Sequence, residues 1–267
     1  MAEFHLNLPE ELKLYCEQIE KTLKPTVRVK AAKGKTTPFE SKFGGNPYMP
    51  KGFEHPRDEK GNAMLLFAQI NFEEVPPIEP MPQSGILQFF LSPTDDVYGL
   101  DFDDPTNQEN FRVVYHAEVK RDETQLVTDF SYVPEVDDEM PPLCSEGRMS
   151  FELQYLPVST GTYEFEQLLD IDLEQETGNP NETLWDVYAD AAQGEGHKVG
   201  GYPYFTQEDP RGYNEEYQEY SILLFQADVD SDINLMFGDS GIANFFIKEA
   251  DLKKLNFSDV LYNWDCC

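Results

Sequence analysis

Three short motifs of the 267-residue chain occur twice, in the same order and at a nearly constant distance. The first, Gly-Gly-x-Pro-Tyr, stands at residues 44–48 and again at 200–204. The other pairs are residues 69–71 with 226–228 and residues 85–90 with 241–246. The offsets are 156, 157 and 156 residues, so the spacing repeats together with the motifs. Because chance similarity does not preserve spacing, the sequence predicts an internal duplication.

Short apolar runs, separated by Pro, Gly and Asp, fill most of the sequence around these motifs. This pattern predicts strands, among them residues 64–70, 86–91 and 111–119. Four prolines between residues 75 and 83 cannot donate hydrogen bonds to a sheet, so this segment is expected to be an extended connector. The fold class predicted is mainly β with a few helices (α+β), with roll-like antiparallel sheets built from the duplication.

Helical spacing of apolar residues is found at the start of the chain and again between the two copies. An amphipathic helix is predicted from Pro9 to near Pro25, followed by a basic strand at 27–31 that we expect at a sheet edge. Two more helices are predicted, one over residues 164–176 and one capped by Asn179 that runs to about residue 191.

These elements divide the chain into four parts. Residues 1–43 carry the N-terminal helix and basic strand, and residues 44–136 form the first β-rich copy. Residues 137–199 hold an acidic junction and a helical insert, and residues 200–267 form the second copy. We expect the two copies to be fused into one globular unit.

The chain is strongly acidic, with a formal net charge of -31 at pH 7. Residues 1–60 contain eleven Lys or Arg against nine Asp or Glu, so the acidity belongs to the part that carries the repeats. Such a field repels phosphate backbones and anionic membranes, which argues against nucleic-acid and membrane binding. It suits a basic protein or a cation as partner, or it is a solvated surface that keeps the protein soluble.

The four cysteines, Cys16, Cys144, Cys266 and Cys267, have neither C-x-x-C spacing nor the density of a disulfide framework. The sequence also lacks a basic segment followed by an apolar core at its start, and it has no apolar run of eighteen residues. We therefore expect a soluble, cytoplasmic protein with reduced thiols. The state of the terminal pair, Cys266 and Cys267, stays open.

Carboxylates at alternate positions provide weak candidates for a metal site. Asp228, Asp230 and Asp232, with Asp239 eleven residues after the first, have part of the spacing of a calcium-binding loop. However, Ile233 occupies the position where such a loop needs glycine. A second acidic cluster, at residues 95–104, is an equally weak candidate, because an acidic chain produces such spacings readily. The sequence predicts no cofactor.

Catalytic motifs are not found in the sequence. The four histidines lack the spacing of zinc ligands, and no G-x-S-x-G, phosphate-binding glycine loop or S-x-x-K occurs. This favours a non-catalytic protein over an enzyme.

Polar residues recur at matched positions inside the apolar runs of both copies. They either line a shared cleft or satisfy buried backbone groups. The candidate binding residues are Gln69, Asn71, Gln226, Asp228, Asp239 and Asn244.

Five motifs taken together resemble the YwqG-like family, a bacterial domain of unknown function. They are Gly-Gly-Asn-Pro at 44–47, Phe-Ala-Gln-Ile-Asn at 67–71, Gly-Asp-Ser-Gly at 238–241, Asn-Phe-Phe-Ile at 244–247 and Trp-Asp-Cys-Cys at 264–267. The resemblance extends over nearly the whole chain and implies a mainly-β roll-like fold with an internal duplication. It implies no catalytic residues, and it associates the chain with toxin-immunity gene neighbourhoods.

The leading hypothesis is a non-catalytic intracellular binding protein whose acidic surface recognises a cationic protein, in the manner of an immunity protein. The alternative is a metal-dependent enzyme or a small-molecule binder with a cleft between the two copies.

Overall fold

A computed structural model describes residues 8–135, 142 and 145–267. The described residues contain ten strands and four short helices. The strands are β1 Lys24–Lys33, β2 Lys42–Phe43, β3 Leu65–Asn71, β4 Ile86–Leu91, β5 Phe111–His116, β6 Gly147–Leu156, β7 Lys198–Gly200, β8 Ile222–Ala227, β9 Ile242–Ile247 and β10 Val260–Asp265. The helices are α1 Cys16–Lys21, α2 Phe165–Leu168, α3 Leu184–Ala192 and α4 Glu249–Leu252. Turns of 3₁₀ helix occur at Glu10–Tyr15, Glu123–Gln125, Pro210–Gly212 and Glu215–Glu219.

All ten strands belong to one sheet, in the order β10-β9-β8-β7-β1-β6-β2-β3-β4-β5, and every neighbouring pair is antiparallel. The two end strands approach each other. The rings of Phe111 on β5 and Tyr262 on β10 lie 5.0 Å apart, and the Tyr262 amide donates to the Pro105 carbonyl at 2.9 Å. The sheet is therefore a nearly closed, barrel-like structure, and the mainly-β prediction is confirmed.

The middle of the sheet is the long pair of β1 and β6. Lys24 lies opposite Leu156 at one end and Lys33 opposite Gly147 at the other. On its other side β1 pairs with β7, and β6 pairs with β2. The prediction that the basic strand 27–31 lies at a sheet edge was therefore wrong.

The physical reason is that the basic residues of β1 do not obstruct pairing. Val27 and Val29 are buried, whereas the side chains between them point away from the core. Arg28 donates to the backbone carbonyls of Gln193 and Glu195, and Lys30 reaches Glu152 on the neighbouring strand at 3.2 Å. A charge that finds a partner beside the sheet is compatible with a central strand.

Aromatic residues from both ends of the sheet fill the barrel. Phe89 on β4 lies 4.6 Å from Phe245 on β9 and 5.4 Å from Phe225 on β8, measured between ring centroids. All three side chains are fully buried. Each contributes on the order of 1.5–3 kcal/mol relative to exposure, so the aromatic core holds the two ends of the sheet together.

The helices between β6 and β7 differ from the predicted ones. Only Phe165–Leu168 is helical in the predicted segment 164–176, because Leu169 is extended and ends the helix. Helix α3 begins after Thr183 rather than at Asn179, since the Asp186 carboxylate accepts hydrogen bonds from the Thr183 amide at 2.8 Å and its hydroxyl at 3.0 Å. In the described part of the chain, no helix has both the length and the apolar character needed to cross a membrane.

Candidate functional site

Gln69, the first predicted binding residue, is fully buried and bonds to backbone. Its Oε1 accepts from the Tyr48 amide at 2.8 Å, and its Nε2 donates to the carbonyls of Pro38 and Glu40, both at 2.9 Å. The side chain thus connects β3 to the Gly-Gly turn that follows β2. Both the oxygen and the nitrogen of its amide are thus hydrogen-bonded inside the fold.

Gln226 does the same on β8. Its Oε1 accepts from the Tyr204 amide at 2.7 Å, and its Nε2 donates to the carbonyls of Gly194 at 3.1 Å and Gly196 at 2.7 Å. It is also fully buried. Both glutamines therefore satisfy backbone groups, which is the second of the two roles that the sequence left open.

Asn71 and Asn244 are buried as well. Asn71 donates to the Phe39 carbonyl at 2.9 Å and accepts from the Glu73 amide at 3.1 Å. Asn244 donates to the Tyr204 carbonyl at 2.8 Å, but its Oδ1 has no hydrogen-bond partner in the described part of the chain. Of the predicted amides, Asn244 thus keeps a free acceptor.

The predicted carboxylates do not converge. Asp228 accepts from the Gly196 amide at 2.6 Å, Asp230 faces His197 at 3.1 Å, and Asp232 and Asp239 are exposed. Within residues 8–135, 142 and 145–267, no group of three or more His, Cys, Asp or Glu is placed to hold a metal ion. The calcium-loop spacing therefore does not fold into a calcium loop here, because its first two acids bond to neighbouring elements.

Three histidines have ring nitrogens committed to internal hydrogen bonds. His197 Nδ1 accepts from the Asp228 amide at 2.9 Å, so its proton lies on Nε2, which faces Asp230. His55 contacts the Met64 carbonyl at 2.8 Å. His116 Nε2 lies 3.0 Å from Gln88 Oε1, and burial lowers the pKa of His116 to about 4. His5 lies outside the described residues.

The cysteines offer no paired thiols among the described positions. Cys16 and Cys266 are partly buried and Cys267 is exposed, all with free thiols. The Cys266 carbonyl accepts from Gln207 Nε2 at 2.6 Å, which ties the last strand to the segment after the second Gly-Gly turn. Cys144 lies outside the described residues.

A loop between β4 and β5, residues 95–109, concentrates negative charge at the surface; we call it the acidic loop. Its own carboxylates hold it in shape. Asp95 accepts from the Gly99 amide at 2.6 Å, and Asp101 accepts from the amides of Asp103 and Asp104 and from Asn107. These hydrogen bonds lower the pKa of Asp101, so it stays charged.

The acidic loop surrounds a hollow of about 310 Å³. Carboxylates of Glu59, Asp103 and Glu109 line it and are exposed. Phe102, beside them, is 74% exposed. A large exposed aromatic ring within a ring of acids can anchor a basic partner through cation-π and apolar contacts. The sequence indicated the acidic cluster, but the exposure of Phe102 could not be read from it.

A second hollow, of about 360 Å³, lies where the ends of the sheet meet. Arg112 and Tyr115 on β5 and Phe257 before β10 are among its lining residues. None of the six predicted binding residues lines it. The structure therefore does not bring the predicted residues together at this junction.

Comparison with known families gives one match over most of the chain. A model of a domain of unknown function, DUF1963, covers residues 41–266. No functionally curated protein is detectably similar to the chain. Because the matched segment includes both Gly-Gly turns and nine of the ten strands, the chain belongs to the DUF1963 family.

Proposed function

We propose that this chain is a non-catalytic binding protein whose acidic surface recognises a cationic protein. The observation that carries the proposal is the exposed ring of Phe102 inside the acidic loop. Exposed Phe is unfavourable in water, and aromatic residues are enriched at protein interfaces. Carboxylates around such an anchor supply the charge complementarity that a basic partner needs.

The net charge supports the same function. At -31, the field of the chain attracts cationic proteins over distances of a Debye length and repels anionic ones. Association is then fast at low salt and slows as the salt concentration rises. A role like that of an immunity protein, as the YwqG-like resemblance implies, requires such rapid capture of a basic target.

The internal bonding of the polar residues supports a non-catalytic role. Gln69, Gln226 and His197 each satisfy backbone or carboxylate groups within the fold. A general base needs a free nitrogen or oxygen within reach of a substrate. These residues stabilise the structure instead.

We also propose the internal duplication, the four-part division of the chain and the closer relation to the YwqG-like family. The equivalent hydrogen bonds of Gln69 and Gln226 support the duplication, as does the order of strands on either side of the β1–β6 pair. We propose a cytoplasmic location, which the free thiols of Cys16, Cys266 and Cys267 support.

The test compares two variants of equal charge in a pull-down with quantitative mass spectrometry. The first carries Glu59→Gln, Asp103→Asn and Glu109→Gln in the hollow, and the second carries Glu208→Gln, Glu215→Gln and Glu216→Gln elsewhere on the surface. All six acids are exposed, so both variants should fold. A basic protein that the wild type and the second variant recover, and the first variant and Phe102→Ala lose, supports the proposal. Equal recovery by all four proteins would contradict it.

The metal-dependent alternative has a separate test. Calorimetric titration with calcium, magnesium and manganese should give heat, and raise the melting temperature, if a metal binds the folded chain. Loss of that signal in Asp230→Asn would assign the metal to the predicted acids. Absence of both heat and any rise in the melting temperature with all three metals would contradict this alternative.

A further inference from the structure

A cavity of about 740 Å³ lies between the C-terminal end of α3 and the segment 204–207, which follows the second Gly-Gly turn. It is separate from the acidic loop and is not used by the function proposed above. Three aromatic residues line it, Trp185, Tyr204 and Phe205, together with the carboxylates of Asp190 and Glu195. Trp185 is 47% exposed, although it belongs to a helix whose opposite face is buried.

The charges around the cavity are mainly negative. Asp190 and Glu195 are exposed at its wall. Burial raises the pKa of the Tyr204 hydroxyl, and the nearby charges of Glu195, Asp228 and Asp265 raise it further. Arg28 also lines the cavity and keeps its positive charge while it donates to two backbone carbonyls, so the lining carries one cation against two carboxylates within a chain of net charge -31. A cation that enters therefore meets a negative potential.

The segment 204–207 forms one wall of the cavity and covers polar groups that lie behind it. Thr206 Oγ1, Asn244 Oδ1 and Asp265 Oδ1 are buried and have no partner among the described residues. The segment 204–207 lies over these groups, since Asn244 donates to the Tyr204 carbonyl and the Gln207 amide donates to Asp265 at 2.6 Å. Asn244 and Asp265 do not line the cavity, so a ligand in it is recognised by the residues that do, among them Trp185, Asp190 and Glu195.

We propose that this cavity binds a primary alkylammonium group, with the ammonium between the carboxylates of Asp190 and Glu195 and the rings of Trp185 and Tyr204. Tryptophan is the strongest cation-π partner among the side chains. The ammonium supplies three donors and no acceptor, which suits the carboxylates of Asp190 and Glu195. A bare metal ion fits less well, because the space is that of an organic ligand and exceeds a single coordination shell.

Trp185 makes the proposal directly measurable. The chain contains two tryptophans, and the other, Trp264, is partly buried against the core with its indole nitrogen donating to the Val97 carbonyl at 2.8 Å. Titration of the full chain with cadaverine at low salt should change the tryptophan emission in a saturable way. Glutarate, a dicarboxylate of similar length, should leave it unchanged. The same titration of Trp185→Phe should lose the signal, while calorimetry still detects weaker binding.

The carboxylates are tested by a matched pair of variants. Asp190→Asn with Glu195→Gln should weaken cadaverine binding about tenfold, since two partly solvated charge contacts are lost. Glu166→Gln with Asp170→Asn removes the same charge from exposed positions outside the cavity and should have little effect. Equal weakening by both pairs, or an equal response to glutarate, would overturn the proposal.

A further titration distinguishes two sources of the ammonium group, a free amine and a lysine side chain of a partner protein. A short peptide with a single lysine and blocked termini is titrated beside cadaverine. Binding of the free amine alone supports a small metabolite as the ligand, and binding of the peptide alone supports a lysine side chain of a partner. Failure of both would overturn the proposal, and it would leave the function of the acidic loop untouched because the loop is tested by other variants.

Discussion

The two ends of the sheet anchor their Gly-Gly turns with the same chemistry. Each has a fully buried glutamine that bonds to the amide of the tyrosine after the turn and to two backbone carbonyls. Each also has a buried lysine before the turn that donates to carbonyls, Lys42 and Lys198. Burial lowers the pKa of both lysines, that of Lys42 to about 8. The turn geometry therefore depends on polar side chains rather than on apolar packing alone.

The two ends differ at the outermost pair of strands. Between β4 and β5, Gln88 Oε1 faces a ring nitrogen of His116, which donates to it. In the matching register of β9 and β10, Asn244 and Asp265 stand at these places, and both have an oxygen without a donor. The first pair is thus hydrogen-bonded, whereas the second keeps oxygens without a donor among the described residues, beneath the segment 204–207 that forms one wall of the cavity proposed to bind an ammonium group. The two ends thus share their buried glutamine and lysine but differ in this one pair of polar residues.

The largest expected effect comes from the shared glutamines. Gln69→Leu and Gln226→Leu should each destabilise the protein by about 3 kcal/mol, because a buried amide and two carbonyls lose their partner. Urea unfolding followed by circular dichroism measures this. Gln167→Leu, at an exposed position of α2, is the control and should change stability by less than about 0.5 kcal/mol. If only one of the two substitutions lowered the free energy of unfolding strongly, the two glutamines would not have equivalent roles at their turns.

The next effect is a pH dependence caused by His116. Its folded pKa of about 4 lies below the usual value of 6.5, so the unfolded chain binds the proton more tightly. Stability is therefore lost as pH falls from about 6.5 towards 4, by up to about 3 kcal/mol. His116→Gln keeps a donor for Gln88 and should remove this part of the pH dependence. A wild type and variant with parallel stability curves between pH 7 and pH 4.5 would contradict the assignment.

The sequence predicts much of this architecture, because β-strands and repeats leave local signals. The strand at residues 86–91 has the bounds found in the structure, since Gly85 and Pro93 delimit an apolar run. The partners of the carboxylates 228–239 could not be predicted, because spacing along a chain does not show where a side chain bonds. The cavity beside Trp185 could not be predicted, because it depends on where the fold places α3 and the separate segment 204–207 relative to each other.

A smaller difference is expected between two matched glycines, Gly45 and Gly201. Both have positive φ, +71° and +72°, so alanine at either position is strained by about 1 kcal/mol. At Gly201 a Cβ would also lie 2.1 Å from Thr26 Oγ1 in the central strand, whereas at Gly45 it meets the side chain of Glu146. Gly201→Ala should thus cost about 1 kcal/mol more than Gly45→Ala in urea unfolding. Equal losses would mean that β1 yields as readily as the Glu146 side chain, which accepts hydrogen bonds from Thr36.

The smallest expected effect concerns Asp265, and it is a gain in stability. Burial raises the folded pKa of Asp265 above its usual value, so the charged form is disfavoured in the fold at neutral pH. Asp265→Asn removes the charge, keeps an oxygen for the Gln207 amide and brings N–H donors toward Asn244 Oδ1. We expect it to stabilise the protein by about 1 kcal/mol at pH 7.5 in urea unfolding.

The sign of the pH dependence separates this explanation from a simple loss of surface repulsion. As pH falls through the folded pKa towards about 4, the wild-type carboxyl takes up a proton and regains the stability that it lacked at neutral pH, so the advantage of Asp265→Asn should shrink. Asp239→Asn, at an exposed position whose backbone carbonyl accepts from the Cys267 amide, removes the same charge and should give a small change without this trend. If both variants gained the same stability at pH 7.5 and at pH 4.5, the acceptors Asn244 Oδ1 and Asp265 Oδ1 would have no energetic cost. The difference between the two ends of the sheet would then be one of sequence alone.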